Sequence, residues 1–373
     1  MTIVAHFINP FLPLTQNWIY NQLRFNTACR AIVLCQTLDH ADLFPLENVF
    51  PVFSGNTLAA RASMIIARLR AQYPSGPYLK VIEREKPQVL HGHFSWESWR
   101  NFGLIKKTRL PLLTTFYGLD VNKLSQKRVW KKRYAELFTR GELFSVEGNF
   151  MAQALAGLGC PPEKIRVVPL GVDIERIRRW KKSKTDETVN ILFVGLEREK
   201  KGSLYAANAF SKIARTNSRC ILHIVGNGRF ASPVRRLLIE AGVIGQCRFH
   251  GYLSFEAYGR LLGYMDILMA PSVTAADGDT EGGAPVVVIE AQAAGIPVVG
   301  TRHCDIPNIV KDNETGLLCA ERDVDALAGH LNRLISDKAL RMTMGEVAQQ
   351  HAARHFSIQR QVEQLNELYR FLA

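Results

Sequence analysis

Short apolar runs alternate with amphipathic segments along almost the whole chain, and this alternation restricts the fold more than any other feature. In the first half, the apolar runs that predict buried strands lie at residues 2–7, 31–35, 89–91, 112–116 and 142–146. The segments with apolar residues at helical spacing lie at residues 18–25, 58–70 and 128–139. Alternating strands and helices are typical of a parallel sheet covered by helices, so the sequence predicts an α/β fold.

The alternation pauses once and then restarts, which indicates two domains. The pause lies at residues 169–173, and the basic, polar stretch that follows at 175–188 is typical of a linker. Further strands are predicted at residues 189–194, 221–225, 247–249, 267–270, 297–299 and 316–318, and further helices at 204–214, 233–241, 255–263, 287–294, 324–336 and 340–353. We therefore expect domains at residues 1–170 and 171–353. A terminal helix follows at 354–373, and packing back on the first domain is one arrangement for it.

Composition excludes several classes of protein. No stretch approaches the roughly 18 consecutive apolar residues of a membrane-spanning helix. The first residues lack the basic and apolar regions of a signal peptide. The seven cysteines are scattered without a CxxC pair, so we expect neither a metal site nor a disulfide framework, and a reducing cytoplasm is the expected location.

The formal net charge of +13 suits solubility, nucleic-acid binding, or attraction of anionic lipid and phosphorylated substrates. The sequence lacks the signatures of RNA-recognition, zinc-finger and basic-zipper proteins, so we expect no nucleic-acid partner. In one basic segment, residues 123–140, the large apolar side chains share a helical stripe formed by Trp130, Tyr134, Leu137 and Phe138. Such a helix either rests on an anionic membrane or packs its stripe on the domain's own sheet.

Two glycine-rich turns follow neighbouring predicted strands in the second half. In the first, Gly195 ends the strand and Lys201 stands at the start of the next helix. A cation there adds to the helix dipole and favours an anion such as a diphosphate. Glu197 and Glu199 offset the lysines and equally fit a plain charged turn. The second turn, at residues 226–228, resembles many strand–helix connections and is weak evidence alone.

The segment from Asp277 to Pro297 is the most informative. Acidic and glycine residues lead into an apolar helix, and Pro285 suits its first turn because a missing N–H costs little there. Free amides at a helix start bind phosphate oxygens. Glu290 lies within the apolar helix, where a carboxylate needs either a partner, such as ribose hydroxyls, or an exposed face.

In these segments and others the chain resembles the retaining glycosyltransferases of family four, and among them the exopolysaccharide and colanic-acid-type members. The matching pieces lie at residues 11–19, 91–94, 114–120, 158–165, 193–202, 281–290, 303–307 and 315–318. The resemblance implies the GT-B fold, in which two Rossmann-like domains place their parallel sheets facing across a cleft. It also implies that the first domain binds an acceptor and the second a nucleotide-sugar donor.

The resemblance further implies roles for individual residues. Those implied to bind the donor are Arg198, Lys201, Gly226, Asn227, Gly251, Leu253, Gly282, Gly283, Ala284, Pro285, Val286 and Glu290. The implied catalytic residues are Glu281, Tyr117 and His93, with Glu281 approaching the donor sugar. Thr15 and Asn17 lie on the first strand–helix turn, where they either contact the acceptor or cap the next helix.

Four positions depart from the family's pattern. Eight residues separate Glu281 from Glu290, one more than usual, and an extra glycine accommodates this residue as a bulge. Leu196 stands where a phosphate-binding arginine is common, and Arg198 is the expected substitute. In two further exchanges, a tyrosine replaces a histidine at position 117 and an asparagine replaces a glutamate at position 308.

His91 and His93 stand near a strand end. We expect them to project to opposite sides of the strand, so that at most one faces the cleft. No acidic or cysteine residue nearby completes a metal site with them. No metal is expected elsewhere, because basic residues neutralise the diphosphate. The segment Asp277-Gly278-Asp279 is the one place where this expectation is open.

The sequence therefore predicts transfer of a sugar from a nucleotide-diphosphate sugar to a carbohydrate or lipid-linked acceptor, with retention and without a metal or other cofactor. Nucleotide-sugar epimerases and phosphorylases share the architecture and are alternatives. A further alternative is a nonenzymatic protein whose basic surface binds membrane or nucleic acid, although that role does not require the segment from Glu281 to Glu290. The expected location is the cytoplasm, with contact at the inner face of the membrane.

Overall fold

The computed structural model describes residues 1–13, 16–53, 57–59, 61–62, 65, 72–180 and 187–373. These residues form two compact units. Unit 1 comprises Met1–Gly171 and Ile358–Ala373, and unit 2 comprises Val172–Ser357. Thr15 and most of the helix predicted at residues 58–70 lie outside the described residues.

Unit 1 is built on a seven-stranded parallel sheet. Its strands are β1 (Thr2–Phe7), β2 (Cys29–Cys35), β3 (Val49–Pro51), β4 (Val89–His93), β5 (Leu112–Thr115), β6 (Leu143–Val146) and β7 (Ile165–Val167). They lie in the order β3-β2-β1-β4-β5-β6-β7. The five strands predicted from apolar runs are confirmed. The strands β3 and β7 lack such a run because each is a half-exposed strand of three residues at a sheet edge.

The described helices of unit 1 within its first segment are α1 (Asn17–Phe25), α2 (Gly76–Glu85), α3 (Ser95–Arg100), α4 (Phe102–Thr108), α5 (Arg128–Arg140) and α6 (Asn149–Gly157). Helices α1 and α5 confirm the predictions at residues 18–25 and 128–139. The other four have no counterpart in the prediction. They are short, from six to ten residues, and so few turns give no clear helical period.

Unit 2 is built on a six-stranded parallel sheet. Its strands are β8 (Val189–Val194), β9 (Cys220–Val225), β10 (Cys247–Gly251), β11 (Ile267–Ala270), β12 (Val298–Thr301) and β13 (Gly316–Cys319). Their order, β10-β9-β8-β11-β12-β13, is that of a Rossmann fold, and the sheet of unit 1 has the same order with one strand added. All six predicted strands are confirmed.

The helices of unit 2 also follow the predicted pattern. They are α7 (Ile174–Arg178), α8 (Ser203–Ala214), α9 (Ala231–Glu240), α10 (Phe255–Leu262), α11 (Val286–Ala293), α12 (Ile306–Ile309), α13 (Val324–Ser336) and α14 (Lys338–His355). The two short helices α7 and α12 were outside the prediction. The core of the unit lies between the sheet and helices such as α8 and α13, which bury Phe210 and Leu331 completely.

The last helix, α15 (Ile358–Leu372), belongs to unit 1. Its residues Leu365 and Tyr369 are buried in one apolar cluster with Val4, Val89 and Leu113, which come from the central strands β1, β4 and β5. The end of the chain is therefore part of the core of unit 1, although the whole of unit 2 separates it from those strands in sequence.

Helix α5 turns its apolar stripe inward. Trp130, Tyr134, Leu137 and Phe138 are all buried in a core cluster that also contains Phe144 of β6. The prediction that this stripe rests on a membrane is therefore wrong, and the stripe packs within unit 1 because it is needed to cover the sheet. The basic side chains on the other faces stay exposed: Lys127, Arg128, Lys131 and Lys132. Among the described helices, none is both long and apolar enough to cross a bilayer.

Candidate functional site

The strand order of unit 2 reverses between β8 and β11, and the loops after these two strands lie side by side. Such a switch point, at the carboxyl ends of parallel strands, is where open α/β sheets bind ligands. The N–H of Val273 donates to the carbonyl oxygen of Lys200 at 2.9 Å and joins the two loops. The basic turn at residues 195–202 and the acidic segment at 277–285 thus share one edge of the sheet.

Five charged side chains from these loops form one network. Lys201 Nζ lies 3.1 Å from the Glu281 carboxylate. Lys200 Nζ lies 3.4 Å from one oxygen of Asp279, and Arg198 lies 3.2 Å from the other. Within this network three cations face two carboxylates, while Glu197 and Glu199 of the same basic turn add negative charge beside it. An anion that approaches this edge meets side chains already held in place.

Glu281 is the most tightly held member of the network. Its carboxylate accepts a hydrogen bond from Ser272 Oγ at 2.9 Å, and its side chain is 6% exposed. Burial alone would raise its pKa, but Lys201 and Lys200 outweigh burial and hold the pKa below its usual range. Glu281 is therefore ionised at neutral pH. The next residue, Gly282, has a φ of 79°, a conformation that glycine adopts without strain, and this turn accommodates the extra residue of the segment.

Glycine is required where the basic turn meets the acidic loop. Gly202 has a φ of 71°, and a Cβ at this position would lie 1.8 Å from the carbonyl oxygen of Pro271. The second glycine turn lies against the first. A Cβ at Gly226 would lie 3.2 Å from the backbone nitrogen of Leu196, and the Gly226 N–H donates to the carbonyl oxygen of Gly251 at 2.8 Å.

Leu196 and Arg198 have opposite surroundings. Leu196 is 1% exposed and packs in the core of unit 2. An arginine at this position would need a different side-chain path to reach a ligand. The Arg198 side chain is 55% exposed and pairs with Asp279. Arg198 therefore presents a partly exposed guanidinium at this edge, and its role as a substitute stays a prediction.

Glu290 lies on α11, which begins at Val286, one residue after Pro285. Glu290 is 8% exposed, and burial raises the pKa of its carboxyl to about 7, while a hydrogen bond from Tyr258 opposes the shift. The exposed-face interpretation of this residue is therefore wrong. A buried carboxyl that is partly protonated at neutral pH can exchange hydrogen bonds with ligand hydroxyl groups.

The remaining residues implied to bind a donor occupy neighbouring strand ends. Asn227 is exposed in the turn after β9, and its side-chain oxygen accepts the N–H of Gly228 at 2.9 Å. Leu253 is half-buried, two residues after the end of β10. Gly283 and Ala284 are buried between the charged network and the start of α11.

In unit 1 the strand order reverses between β1 and β4, and three buried histidines lie there. His6 is on β1, and His91 and His93 are on β4. The rings of His91 and His93 stack with centroids 4.2 Å apart. The expectation that these two side chains project to opposite sides is wrong, because residues two apart on a strand point to the same face.

Hydrogen bonds connect these histidines to two tyrosines. His93 Nε2 lies 3.1 Å from His6 Nδ1, and His93 Nδ1 lies 3.1 Å from the Tyr117 hydroxyl. His91 Nδ1 lies 2.7 Å from the Tyr369 hydroxyl of α15. Burial lowers the pKa of His6 to about 3 and the pKa values of His91 and His93 well below the usual range. All three histidines are therefore neutral at pH 7.

Three histidines are also a donor set for zinc, and the ligand atoms of this cluster lie within 4.8 Å of one another. Two observations favour hydrogen bonding instead. The rings of His6 and His93 are stacked at an interplanar angle of 24°, and nitrogens in nearly parallel planes do not converge well on one ion. A hydrogen bond in which one ring N–H donates to the other ring already accounts for the 3.1 Å between His6 Nδ1 and His93 Nε2.

The other unit 1 residues that were predicted to be catalytic or to bind the acceptor differ in their surroundings. Tyr117 is 4% exposed, and its N–H donates to Asp120 Oδ2 at 2.9 Å. Burial raises the pKa of Asp120 to about 7. Asn17 is half-buried at the first position of α1, and the residue before it, Gln16, makes no side-chain capping bond. Thr15 lies outside the described residues.

The structure adds four residues whose roles the sequence pattern did not indicate. Lys200 and Asp279 complete the charged network. His303 Nε2 accepts the N–H of Glu281 at 3.1 Å, and His303 Nδ1 lies 2.7 Å from Glu321. Both His303 and Glu321 closely follow strands, β12 and β13. Their position just after the carboxyl ends of strands on the β11 side of the switch point is the sequence signal for them.

Comparison with known proteins agrees with this architecture. A family described as "Glycosyltransferase Family 4" matches residues 32–176, and one described as "Glycosyl transferases group 1" matches residues 174–351. The chain is 33% identical to an amylovoran biosynthesis glycosyltransferase of Erwinia amylovora, over 61% of this chain and 56% of the relative. It is 33% identical to a putative colanic acid biosynthesis glycosyltransferase of Escherichia coli, over 62% of this chain and 56% of the relative. The matched region thus spans little more than half the length of these relatives.

Solved structures show the same fold at low sequence identity. A glycosyltransferase from Rickettsia africae superposes with a TM-score of 0.77 at 18% identity, covering 100% of this chain and 98% of its own. The Anabaena protein HepE in complex with UDP superposes with a TM-score of 0.77 at 16% identity, covering both chains completely. The two Rossmann-like units therefore have the GT-B fold.

Proposed function

Since this chain belongs to family four of the glycosyltransferases, we propose that it transfers a sugar from a nucleotide-diphosphate sugar to a carbohydrate or lipid-linked acceptor. Its relatives named for amylovoran and colanic acid biosynthesis support a role in the synthesis of polysaccharide or another glycoconjugate. The reaction retains the configuration at the anomeric carbon. Unit 2 binds the donor, and unit 1 binds the acceptor.

The observation that carries this proposal is the cationic network at the switch point of unit 2. Arg198, Lys200 and Lys201 supply more positive charge than Asp279 and Glu281 neutralise. A diphosphate bound there pairs with Arg198 and Lys201 and accepts further hydrogen bonds from the amides at the start of α11.

The other donor groups fit the neighbouring strand ends. Glu290, buried with a pKa raised to about 7, accepts ribose hydroxyls. The turns at Gly226 and Gly251 border the base, with Asn227 and Leu253 beside them. The segment from Gly282 to Val286 lies between Glu281 and Glu290 and contacts the phosphate and the sugar.

Catalysis rests on position and on stabilisation of the departing diphosphate. The leaving phosphate accepts the acceptor's proton on the same face of the sugar. A double displacement would need a free carboxylate nucleophile. Glu281 is ionised but compensated by two lysines, which lowers its nucleophilicity, so it orients the donor sugar instead.

Unit 1 supplies neutral polar groups on the acceptor side, centred on the largely buried Tyr117. The Tyr117 hydroxyl is the end of the hydrogen-bond chain that runs through His93 to His6. His93 is completely buried, so it acts by holding Tyr117 rather than by contacting substrate itself. Asn17, at the first position of α1, contacts the acceptor, as does Thr15, which lies outside the described residues.

We further propose that turnover needs no metal ion. In metal-dependent enzymes an Asp-x-Asp segment holds the ion, and here Asp279 is engaged by Arg198 and Lys200.

Contact with an anionic membrane, at its cytoplasmic face, is electrostatic. It uses the exposed cations of α5, since the apolar side of that helix is buried.

The test is a product analysis of the purified protein with UDP-glucose or GDP-mannose and candidate lipid-linked and oligosaccharide acceptors, with and without EDTA. We expect release of a nucleoside diphosphate, a glycosylated acceptor with the donor's anomeric configuration, and equal rates in EDTA. An epimerised donor without acceptor, or a sugar phosphate formed from inorganic phosphate, would establish an alternative enzyme. Activity that EDTA abolishes and manganese or magnesium restores would contradict metal independence.

A further inference from the structure

Two residues outside the charged network brace the loop that carries Glu281. His303 lies two residues after β12, and Glu321 lies two residues after β13. His303 Nδ1 lies 2.7 Å from Glu321 Oε1, and His303 Nε2 lies 3.1 Å from the backbone nitrogen of Glu281. Since His303 is 1% exposed, water does not compete freely for these bonds.

The partners of His303 determine which ring nitrogen carries the proton. A carboxylate accepts hydrogen bonds, so the Glu321 side chain places the proton on His303 Nδ1. The other nitrogen, Nε2, then has a free lone pair, which the N–H of Glu281 requires. Glu321 thus sets the tautomer that makes His303 an acceptor for the main chain.

The same pair holds both ends of the acidic segment. The other oxygen of Glu321 accepts the N–H of Thr274 at 2.8 Å, and His303 accepts the N–H of Glu281. The segment between these two amides includes Gly278, with a φ of 76°, and is followed by Gly282, with a φ of 79°. Glycines give this loop backbone freedom. The two side-chain contacts remove that freedom where Glu281 meets the lysines.

Cys304, His303 and Glu321 are arranged like the nucleophile, base and acid of a catalytic triad, because Cys304 Sγ lies 3.2 Å from His303 Nε2. Two facts oppose that function. The Nε2 lone pair already accepts the Glu281 N–H. Burial raises the pKa of the Cys304 thiol to about 11, so the thiolate is scarce at neutral pH. The group is therefore organised around the main chain and not around a reactive sulfur.

We propose that His303 and Glu321 are positioning residues that fix the main chain of Glu281, and through it the carboxylate that orients the donor sugar. This inference rests on the proposed function. Neither side chain needs to contact the donor. Loss of the brace moves the sugar-orienting carboxylate while Arg198 and Lys201 can still bind the diphosphate.

The inference predicts a split between turnover and nucleotide affinity. His303→Leu removes the acceptor for the Glu281 N–H, and kcat for hydrolysis of the better donor, UDP-glucose or GDP-mannose, should fall about tenfold or more. The dissociation constant for UDP or GDP should change by less than about threefold, because a backbone shift at Glu281 leaves the diphosphate contacts in place. His303→Gln keeps an amide oxygen as acceptor and should recover most of the lost turnover.

Glu321→Gln tests the tautomer. The amide can donate to His303 Nδ1 and so allow the proton to move to Nε2, where it faces the Glu281 N–H. We expect kcat to fall as in His303→Leu. The control is His355→Gln, an exchange at an exposed histidine of α14, which should keep the wild-type constants. Equal kcat in His303→Leu, His303→Gln and wild type would overturn the brace, as would equal losses in both His303 variants.

Hydrogen exchange of the Glu281 amide gives a readout that does not depend on turnover. Exchange should accelerate in His303→Leu and Glu321→Gln and stay slow in His303→Gln, with the melting temperature of each variant recorded alongside. Unchanged exchange in all variants would refute the brace. Wild-type protein that neither binds UDP or GDP nor hydrolyses a nucleotide sugar would refute the proposed function, while altered exchange would still support the brace.

Discussion

The two switch points of this molecule share a topology and differ in chemistry. Both sheets reverse their strand order between the first and fourth strands of the Rossmann pattern. In unit 1 this edge carries neutral histidines that burial keeps unprotonated. In unit 2 it carries three cations and two carboxylates in a partly exposed network.

This difference separates what the topology determines from what the side chains determine. Parallel strands in this order place their carboxyl ends around a crevice in both units. The side chains then decide which ligand fits. Fixed cations favour a diphosphate, whereas a neutral hydrogen-bond network favours uncharged hydroxyl groups. This contrast supports the proposed assignment of the donor to unit 2 and the acceptor to unit 1.

The largest effect is expected from Glu281→Gln. The exchange removes the carboxylate that orients the sugar, so turnover should fall about 100-fold. It also frees Lys200 and Lys201 from their counter-charge, so UDP should bind at least as tightly as to the wild type. Steady-state kinetics and calorimetry check the two halves. Weaker UDP binding would show that Glu281 supports the diphosphate site directly.

A tenfold effect is expected from pH, through Glu290. Burial raises the pKa of this carboxyl to about 7 in the free protein. Ribose hydroxyls donate best to the ionised form, so binding lowers the pKa and releases a proton. UDP affinity should therefore rise by at most about tenfold in all between pH 6 and pH 8, because the ionised fraction of this one carboxyl grows from about one tenth to about nine tenths.

Two variants make this pH effect specific. Glu290→Gln removes the titrating group and should reduce the slope of UDP affinity against pH. Asp120→Asn removes a buried acid of unit 1 whose pKa is also raised to about 7, and it should leave the slope unchanged. Calorimetry in buffers of different ionisation enthalpy measures the released proton. If Asp120→Asn changed the slope of UDP affinity against pH and Glu290→Gln preserved it, the titrating acid would lie in unit 1 and not in unit 2.

A smaller effect on stability is expected from Tyr117→Phe in unit 1. The exchange leaves His93 Nδ1 without its hydroxyl partner in a buried site. Stability should fall by about 1–2 kcal/mol, the cost of an unsatisfied buried group. UDP affinity should stay within error of the wild type, while KM for the acceptor rises. Denaturant unfolding and acceptor titration measure these changes; a large loss of UDP affinity would place Tyr117 in the donor site.

The smallest effect is expected at the membrane. Flotation with anionic vesicles at low salt should recover part of the protein. The recovered fraction should fall several-fold when four exposed cations in α5 and directly before it become glutamate: Lys127, Arg128, Lys131 and Lys132. Because the apolar stripe is buried, the binding should disappear in high salt. A matched control reverses four exposed cations of unit 2: Lys311, Arg333, Lys338 and Arg354. Salt-resistant binding would contradict an electrostatic contact.

The periodic parts of the fold were predictable from sequence, and the contacts between distant segments were not. Apolar runs such as 189–194 and 267–270 mark central strands because both of their faces are buried. The edge strands β3 and β7 have no such run. The burial of the α5 stripe depends on the sheet beneath it. Hydrophobic spacing alone is therefore compatible both with a stripe that rests on a membrane and with one that packs in the core.

The candidate site shows the same limit. Lys201 and Glu281 were each singled out by their local motifs, but their pairing across 80 positions needs the sheet that joins β8 to β11. His303 belongs to a segment that resembles the family and Glu321 does not, but the roles of both follow only from the backbone amides that they accept in the fold. His91 and His93 share one face of β4 because side chains two residues apart on a strand point the same way, so the opposite-sides prediction was wrong.

The central claim, that unit 2 binds the donor diphosphate, is tested most directly by calorimetric titration of UDP and GDP into the wild type and Lys201→Ala. Lys201 supplies a charged contact at the network's centre, so affinity for the nucleotide that binds should weaken by about 1.5–3 kcal/mol. Tyr117→Phe, at the neutral switch point of unit 1, is the companion variant and should bind as the wild type does. Unchanged affinity in Lys201→Ala would contradict the placement of the donor site.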